Sequence, residues 1–334
     1  MKLDIEWPEI SSSEDSSLII LDEAQAAPEI FPKIRGAVDN FPQAKGRFLL
    51  LGSVSPALMK QVSESLAGRL ALLELTPFTF NEIGPEKINQ VWNLGGFPEG
   101  GVLNEKRYPE WQSNYLSLLI QRDLPDWGLS AKPQTTERFL KMLAQSHGQL
   151  WNASQIGKSL GLSYHTVNDY LDYLIGAFLI RRLAPYFTNI KKRITKSPKI
   201  YWKDPGLLHA LLNFNSASSL LDYPWVGASW EGFVIEQILA TLKQRDISFD
   251  PYFFRTATGE EIDLVLESGN RLIAIEIKLS STPNSDDFKK LNKIADLIKA
   301  DLRILVSQTP DSHKNAKQIS CSLPWLIANI NIVC

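Results

Sequence analysis

The sequence predicts a multi-domain α/β protein with a parallel N-terminal sheet, a helical middle region and a separate α/β C-terminal domain. Its 334 residues are enough for two or three domains of ordinary size. Apolar stretches at residues 18–21 and 48–51 flank a helical pattern, which is typical of a parallel strand–helix–strand unit. Residues 227–310 again alternate strand and helix patterns, and these predict the second α/β domain.

The composition limits the class of protein. A hydrophobic fraction of 44% and a charged fraction of 22% exclude a chain that is disordered, collagenous or coiled-coil as a whole. A net charge of −2 excludes a polycation, although it allows a local basic face. Two cysteines, an acidic start and the lack of any apolar run near ~18 residues predict a cytoplasmic protein with no membrane partner.

The elements of the first 80 residues follow from apolar periodicity. Both faces of residues 18–21 and 48–51 are apolar, which predicts strands buried on two sides. A third strand is predicted at residues 70–75. The intervening helix has an apolar face made of Ile30, Phe31, Ile34 and Val38.

The middle region, residues 105–180, is predicted to be helical. Within residues 152–171, a turn at Gly161 and an N-cap at Ser163 separate two apolar helical patterns, which predicts a helix-turn-helix. The apolar stretch between Phe178 and Pro185 is expected to form a wing strand.

The C-terminal region is predicted to be a mixed sheet with flanking helices. Its helices are expected at residues 229–242 and 286–299. Its strands are expected at residues 252–255, 261–267, 271–278 and 302–307.

Two carboxylates, Asp22 and Glu23, directly follow the first predicted strand. Ligands of open parallel sheets bind at the carboxyl ends of the strands. A nucleotide site there needs one carboxylate to hold Mg²⁺ and a second to orient an attacking water, and Asp22 and Glu23 match these roles in that order. Ser53 follows the second strand and adds a polar group at the same edge. The alternative is that the acidic pair only caps the next helix.

The stretches LIILDEAQAAPEIFPKIRGAVD, RFLLLGSVSPAL and SESLAGRLALLELTPFTFNE resemble the prokaryotic AAA+ ATPases that carry an uncharacterised C-terminal domain. The later GGFPEG and KSPKIYWKDPGLL also resemble this family. The resemblance implies that Asp22 and Glu23 end the Walker B strand and that Ser53 belongs to sensor 1. It also implies that Arg69 acts as an arginine finger or sensor, and that ATP and Mg²⁺ are the cofactors.

The phosphate-binding loop G-x-x-x-x-G-K-[ST], with which this family begins, is absent from the sequence. We therefore expect the ATP site to be incomplete in this chain and ATP hydrolysis by the chain alone to be negligible. A fragment, a split-gene product and a decayed copy are the alternatives, and the first two would need a missing N-terminal fragment as partner.

A second acidic motif lies in the C-terminal region. Glu231 falls on a predicted helix and Asp263 on a predicted strand, whereas Glu276 and Lys278 share one face of the next strand. This order resembles the PD-(D/E)xK nuclease-like fold. The resemblance implies that Asp263, Glu276 and Glu231 are Mg²⁺ ligands and that Lys278 positions water or neutralises charge. The alternatives are a charged surface hairpin and a nuclease-like fold that serves recognition only.

Residues 181–203 contain eight Lys and Arg residues and no Asp or Glu. Such a run binds phosphates with an affinity that falls with salt, so DNA is an expected partner. Candidate contacts are His165 and Asn168 on the second helix of the helix-turn-helix, and Lys191, Lys192 and Arg193 in the basic run. Alternatively, the loop is only solvated and the helix-turn-helix only packs between domains.

Three modules are therefore expected. Residues 1–100 form a truncated AAA+ ATPase-like domain, residues 101–205 a helical and winged helix-turn-helix region, and residues 206–334 a nuclease-like domain. Three functions stay open: a DNA-associated ATPase-family protein, a Mg²⁺-dependent nuclease, and a non-enzymatic DNA- or protein-binding module. Each of them is compatible with a homo-oligomer.

Overall fold

The structure is a computed structural model that describes residues 18–24, 27–52, 65–187, 197–214 and 217–333. The chain forms two compact units. One comprises the residues up to Leu75 together with Asp172–Ala177, and the other comprises Thr76–Leu171 and the residues from Phe178 onwards. In the described ranges, every helix is too short or too polar to cross a membrane.

The first unit contains strand β1 (Ile19–Leu21), helix α1 (Ile30–Asn40) and strand β2 (Phe48–Leu50). The two strands are parallel, with Ile19 opposite Phe48, so the predicted strand–helix–strand order is confirmed. Helix α1 buries Ile30, Phe31 and Ile34 of the apolar face expected from the sequence, while Val38 is only partly buried and Ala37, which was not predicted, is buried.

Two predictions for this unit were wrong. The strands are covered on one side, where Leu21, Phe48 and Leu50 pack against the α1 core, whereas Ile20 is 56% exposed. The other apolar residues of the second side are exposed as well, Leu18 by 53%, Leu49 by 38% and Leu51 by 42%. Residues 70–75 form no strand, because no described strand pairs with them.

Helices dominate the chain after Leu75. They are α2 (Phe80–Ile83), α3 (Ile88–Leu94), α4 (Glu110–Leu118), α5 (Leu124–Asp126), α6 (Pro133–Gln145), α7 (Ala153–Leu160) and α8 (Tyr164–Gly176). A π-helical turn at Leu119–Asp123 joins α4 to α5. The predicted turn between α7 and α8 is present: Gly161 has a φ of +70°, and the Ser163 hydroxyl accepts the Thr166 N–H at 3.1 Å.

The C-terminal part adds the sheet elements. The strands are β3 (Ile180–Pro185), β4 (Lys199–Trp202), β5 (Asp250–Arg255), β6 (Glu261–Ser268), β7 (Arg271–Ile277), β8 (Leu302–Ser307), β9 (His313–Lys314) and β10 (Gln318–Ser322). The helices are α9 (Pro205–Leu211), α10 (Val226–Gln244), α11 (Ser285–Ile298) and α12 (Leu323–Ala328). These strands form one eight-stranded mixed sheet in the order β4-β3-β5-β6-β7-β8-β10-β9, which confirms the predicted α/β class.

The centre of this sheet is buried on both faces. Leu264 and Ile275 belong to the core that includes α10, and Val265 and Ala274 belong to the core that includes α11. The sequences of strands β6 and β7 are therefore nearly continuous apolar runs. A charged residue within them must be paired or hydrogen-bonded to be stable there.

Strand β3 occupies the stretch where a wing strand was expected, but it belongs to a larger sheet. It pairs antiparallel with β4, with Ile180 opposite Trp202, and parallel with β5, with Ala184 opposite Tyr252. The strand is therefore part of the C-terminal sheet. Pairing with β5 brings together residues far apart in sequence, which a local pattern does not reveal.

The motifs GGFPEG and KDPGLL meet in a tightly packed joint. The buried Asp204 carboxylate accepts the Gly96 N–H at 2.8 Å and caps α9 by accepting the Leu207 N–H at 2.8 Å. A Cβ at Gly95 would lie 2.5 Å from Asp204 Oδ1, and a Cβ at Gly206 would lie 2.1 Å from the Leu94 carbonyl oxygen. Both motifs therefore have a packing role that accounts for their glycines.

Candidate metal centre

The site begins where β6 and β7 separate. Their ladder pairs Leu264 with Ile275, and one residue beyond this pair the Asp263 carboxylate accepts the Ile277 N–H at 2.8 Å. The side chain thus takes over a backbone donor at the end of the ladder. This bond places the Asp263 carboxylate, which is 8% exposed, between the two strands.

Three carboxylates meet at this point. One oxygen each from Glu231, Glu261 and Asp263 lies within 4.8 Å of the other two. Glu231 comes from α10, whereas Glu261 and Asp263 are two residues apart on β6 and so project to the same side. We call these three residues the acid cluster.

A lysine from β4 enters the acid cluster. The Lys199 ammonium lies 2.8 Å from Glu231 Oε1 and also contacts Glu261 Oε1, and the residue is only 3% exposed. Burial by itself would lower the pKa of Lys199, but attraction by Glu231, Asp263 and Glu261 outweighs it, so the pKa is raised. Lys199 is therefore a cation.

Two further groups complete the contacts of the acid cluster. The Tyr201 hydroxyl donates to Glu231 Oε1 at 2.5 Å. The Arg255 guanidinium donates to Glu261 Oε2 at 2.8 Å. Glu261 therefore has a cation on each of its oxygens, whereas the second carboxylate of β6, Asp263, is bonded to a backbone amide.

Glu276 lies near the C-terminal end of β7 and Lys278 directly follows that strand, and both interact electrostatically with Asp263 of the acid cluster. The Lys278 ammonium lies 2.6 Å from Glu276 Oε1, whereas Glu276 Oε2 is buried and has no hydrogen-bond partner among the described residues. Burial is the main cause that raises the pKa of Asp263 well above its ordinary value, with further contributions from the charges of Glu231 and Glu276. Burial and mutual repulsion thus disfavour ionised carboxylates here unless a cation lies beside them.

This donor set fits Mg²⁺. Carboxylate oxygens are the protein ligands that this ion prefers. The buried Glu276 oxygen without a hydrogen-bond partner is a further candidate metal ligand near the acid cluster. Glu231, Glu261 and Asp263 would hold the ion. Lys199 contacts Oε1 of both Glu231 and Glu261, so an ion held by these two residues and the ammonium would share carboxylates.

The structure brings the predicted ligands Glu231 and Asp263 together, whereas Glu276 is not one of the three carboxylates that meet there and instead pairs with Lys278. Sequence reasoning missed Glu261, although its position two residues before Asp263 indicates a shared strand face. The sequence-based prediction also placed Lys199 in the basic run, because nothing in the neighbouring residues indicates its contact with the acid cluster.

The residues predicted for the nucleotide site lie in the first unit. Asp22 and Glu23 are exposed after β1, where the Glu23 N–H donates to the Asp22 carboxylate at 3.0 Å. The Arg69 guanidinium is paired with Asp39 of α1, through Nε–Oδ1 at 2.5 Å and Nη2–Oδ2 at 3.1 Å. This pairing lowers the pKa of Asp39. Ser53 lies outside the described residues.

The candidate DNA contacts have different surroundings. Asn168 Oδ1 accepts the Trp151 indole N–H at 2.8 Å, whereas His165 is exposed with its ring centroid 3.8 Å from that of Tyr164. Arg181 of the basic run pairs with the buried Glu236. Arg181, like Lys199, thus neutralises a carboxylate inside the fold. The remaining candidates lie outside the described residues: Lys191, Lys192 and Arg193.

Comparison with known families divides the chain into three consecutive matches. An AAA domain matches residues 3–84. A domain of unknown function, DUF8612, matches residues 85–218, and a second one, DUF4143, matches residues 226–326. The acid cluster, Glu276 and Lys278 all lie within the DUF4143 match.

Three similar proteins carry names that describe them as uncharacterised. Proteins of Mycobacterium tuberculosis and Mycobacterium bovis are each 40% identical over 278 residues, which cover 83% of this chain and 62% of each relative. The chain thus spans about three fifths of the length of these relatives. A Haemophilus influenzae protein is 21% identical over 302 residues, covering 85% of this chain and 71% of that protein. A crystal structure from Vibrio cholerae aligns over 92% of this chain and 80% of its own, with 15% identity and a TM-score of 0.25.

Proposed function

Since the chain combines an AAA domain with a DUF4143 domain, we propose that it is part of an ATP-binding protein that acts on DNA through a Mg²⁺-dependent nuclease site. The acid cluster carries this proposal: three carboxylates within 4.8 Å of one another, with Glu276 and Lys278 adjoining. Carboxylates that hold a hard cation and a lysine beside them are the groups that phosphodiester cleavage needs.

The residues have distinct roles in this proposal. Bound Mg²⁺ supplies a Lewis acid that stabilises negative charge on a phosphoryl oxygen. Glu231 and Asp263 hold the ion from two different elements, helix α10 and strand β6. Lys278 is the more accessible lysine, with its side chain 33% exposed, and its ammonium neutralises charge on an entering phosphate.

DNA binding is proposed on the chemistry of the middle region. Tyr164 is 51% exposed and its ring is tilted by 34° against that of the exposed His165 at the first turn of α8, an aromatic pair on which a base could stack. Lys191, Lys192 and Arg193 supply phosphate contacts. Charge reversal of all three should weaken binding to every sequence alike and reduce its salt dependence, because phosphate contacts carry no base information. Unchanged affinity in that triple variant would place the DNA contact elsewhere.

A cleavage assay with matched variants tests the nuclease site. The purified chain is incubated with plasmid DNA and Mg²⁺ or Mn²⁺, beside Asp263→Asn, Lys278→Met and the control Glu260→Gln. Glu260 neighbours the acid cluster in sequence, but its carboxylate pairs with Lys293. We expect cleavage to fall about 100-fold or more in Asp263→Asn and in Lys278→Met, and to persist in Glu260→Gln.

Thermal denaturation with added metal separates the roles of these residues. Asp263→Asn should lose the rise in melting temperature that Mg²⁺ produces, whereas Lys278→Met should keep it while losing cleavage. Equal cleavage by wild type and Asp263→Asn would identify a contaminating nuclease and reject the proposal. The absence of both cleavage and a metal-induced shift in wild type would favour a recognition module instead.

A further inference from the structure

We propose that Lys199 is a built-in counter-ion of the acid cluster, which competes with a divalent cation for the oxygens of Glu231 and Glu261. The inference concerns the regulation of the proposed metal centre and rests on that proposal. Lys199 comes from β4, outside the Asp–Glu-x-Lys pattern, and its role follows from where the sheet places its ammonium.

The contacts of Lys199 are those expected of a resident cation. Its ammonium lies 2.8 Å from Glu231 Oε1 and also binds Glu261 Oε1, so it bridges a helix and a strand as a metal ion would. Its side chain is 4% exposed, and β4 is held by pairing of Lys199 with Leu183 of β3. The ammonium therefore has little freedom to leave the carboxylates for solvent.

The charges around the acid cluster explain why an added ion must compete. Three carboxylates face two cations, Lys199 and Arg255. A divalent ion bound beside the Lys199 ammonium would bring like charges together in a buried space, which costs free energy. Without Lys199, the three carboxylates would face one guanidinium, and a divalent ion would relieve their mutual repulsion.

Lys278 differs from Lys199 in the way that the proposal requires. The side chain of Lys278 is 33% exposed and pairs with Glu276, which the contacts of Lys199 do not include. Lys278 can therefore move toward a bound phosphate without uncovering the acid cluster. Lys199, in contrast, is a positioning residue, because it acts through the two glutamates that it holds together.

Metal titration of the 334-residue chain tests the competition. The affinities for Mn²⁺ and Mg²⁺ are measured by calorimetry, and melting temperatures are measured with and without metal, for wild type, Lys199→Met, Lys199→Arg and the control Lys203→Met. Lys203 has the same charge and lies four residues later, but its ammonium is over the Phe178 ring.

We expect Lys199→Met to melt at least about 5 °C lower than wild type without metal, because it leaves buried carboxylates unpaired. The same variant should bind Mn²⁺ at least about tenfold more tightly. Lys199→Arg keeps the cation and should bind metal as wild type does, and Lys203→Met should also resemble wild type. The double variant Lys199→Met/Asp263→Asn should lose the gain, which would locate the metal at the acid cluster.

The outcomes separate this inference from the proposed nuclease site. Equal metal affinity of wild type and Lys199→Met would overturn the inference and leave the metal centre intact. Metal binding by Lys199→Met but not by wild type would support the inference and reject the nuclease proposal for the native chain. Lack of binding by both would reject both. If Lys199→Met does not fold, Lys199→Gln, which keeps a hydrogen-bond donor without the charge, gives the same comparison.

Discussion

Replacement of His147 should change how the stability of the chain depends on pH. His147 Nδ1 accepts the Trp202 backbone N–H at 3.0 Å, so that nitrogen carries no proton, and Nε2 lies 3.2 Å from the Ala228 carbonyl oxygen, to which it donates. Protonation of Nδ1 would place two N–H groups against each other. Burial, with smaller contributions from His209 and Lys199, lowers the pKa of His147 to about 3.

The sign and size of the effect follow from this pKa. An unfolded histidine takes up a proton near pH 6.5, whereas folded His147 does so only near pH 3, so the unfolded state binds more protons between these values. The wild type therefore loses stability as pH falls below 6.5. At about 1.4 kcal/mol per pH unit, the loss between pH 6.5 and pH 5 is about 2 kcal/mol.

Urea denaturation at pH 7.5 and pH 5, followed by tryptophan fluorescence, measures this effect against His147→Gln. The variant should be less stable at pH 7.5, because the Trp202 N–H and the Ala228 carbonyl lose their partner. Its deficit should shrink by about 2 kcal/mol at pH 5, since it lacks the titrating ring. An equal deficit at both pH values would refute the reasoning. His165→Gln, at an exposed position, is the matched control.

Three further changes have expected results. Arg181→Met should reduce the free energy of unfolding in urea by about 3–5 kcal/mol, because it leaves the buried Glu236 without its cation. Gly95→Ala should reduce it by about 2 kcal/mol or more in thermal denaturation, since Gly95 has a φ of +86° and its added Cβ would meet the Asp204 carboxylate. Asn168→Ala should cost about 1–3 kcal/mol in urea, because a largely buried indole N–H loses its acceptor.

Matched variants decide each of these cases. Glu236→Gln combined with Arg181→Met should recover part of the loss, and full additivity would contradict a buried ion pair. Gly161→Ala has a similar φ of +70° but open space around the added Cβ, so a loss as large as that of Gly95→Ala would contradict the clash. If Asn168→Ala is fully folded but binds DNA more weakly, the Asn168 side chain contacts a base in addition to its bond to Trp151.

The C-terminal elements were predictable because their signals are local. The strands expected at residues 261–267 and 271–278 occur at Glu261–Ser268 and Arg271–Ile277, where they pair antiparallel. The AAA domain and DUF4143 matches likewise confirm the resemblance to an AAA-like ATP-binding family with an uncharacterised C-terminal domain. Motifs whose residues lie within a few tens of positions of one another can be recognised from the sequence alone.

The wrong predictions concern residues whose burial or pairing depends on partners that are distant in sequence. Residues 18–21 are apolar on both faces, yet the described unit buries one face, because burial depends on what packs there and not on the strand itself. Lys199 and Arg181 looked like members of a DNA-binding run. Each instead lies within hydrogen-bonding distance of a glutamate on α10, far along the chain, namely Glu231 and Glu236. The net charge of a segment therefore overestimates how many of its side chains can bind phosphate.

The segment Lys199–Asp204 connects features that the sequence shows as separate. Lys199 enters the acid cluster, Trp202 donates its N–H to His147, and Asp204 holds the GGFPEG loop through the Gly96 N–H. Since β4 is short and its residues are buried, a shift at one of these contacts displaces the others. His147→Gln should therefore also increase the metal-induced rise in melting temperature at constant pH, because it loosens β4 and α10, which place Lys199 against Glu231, and Lys199 then competes less with the ion.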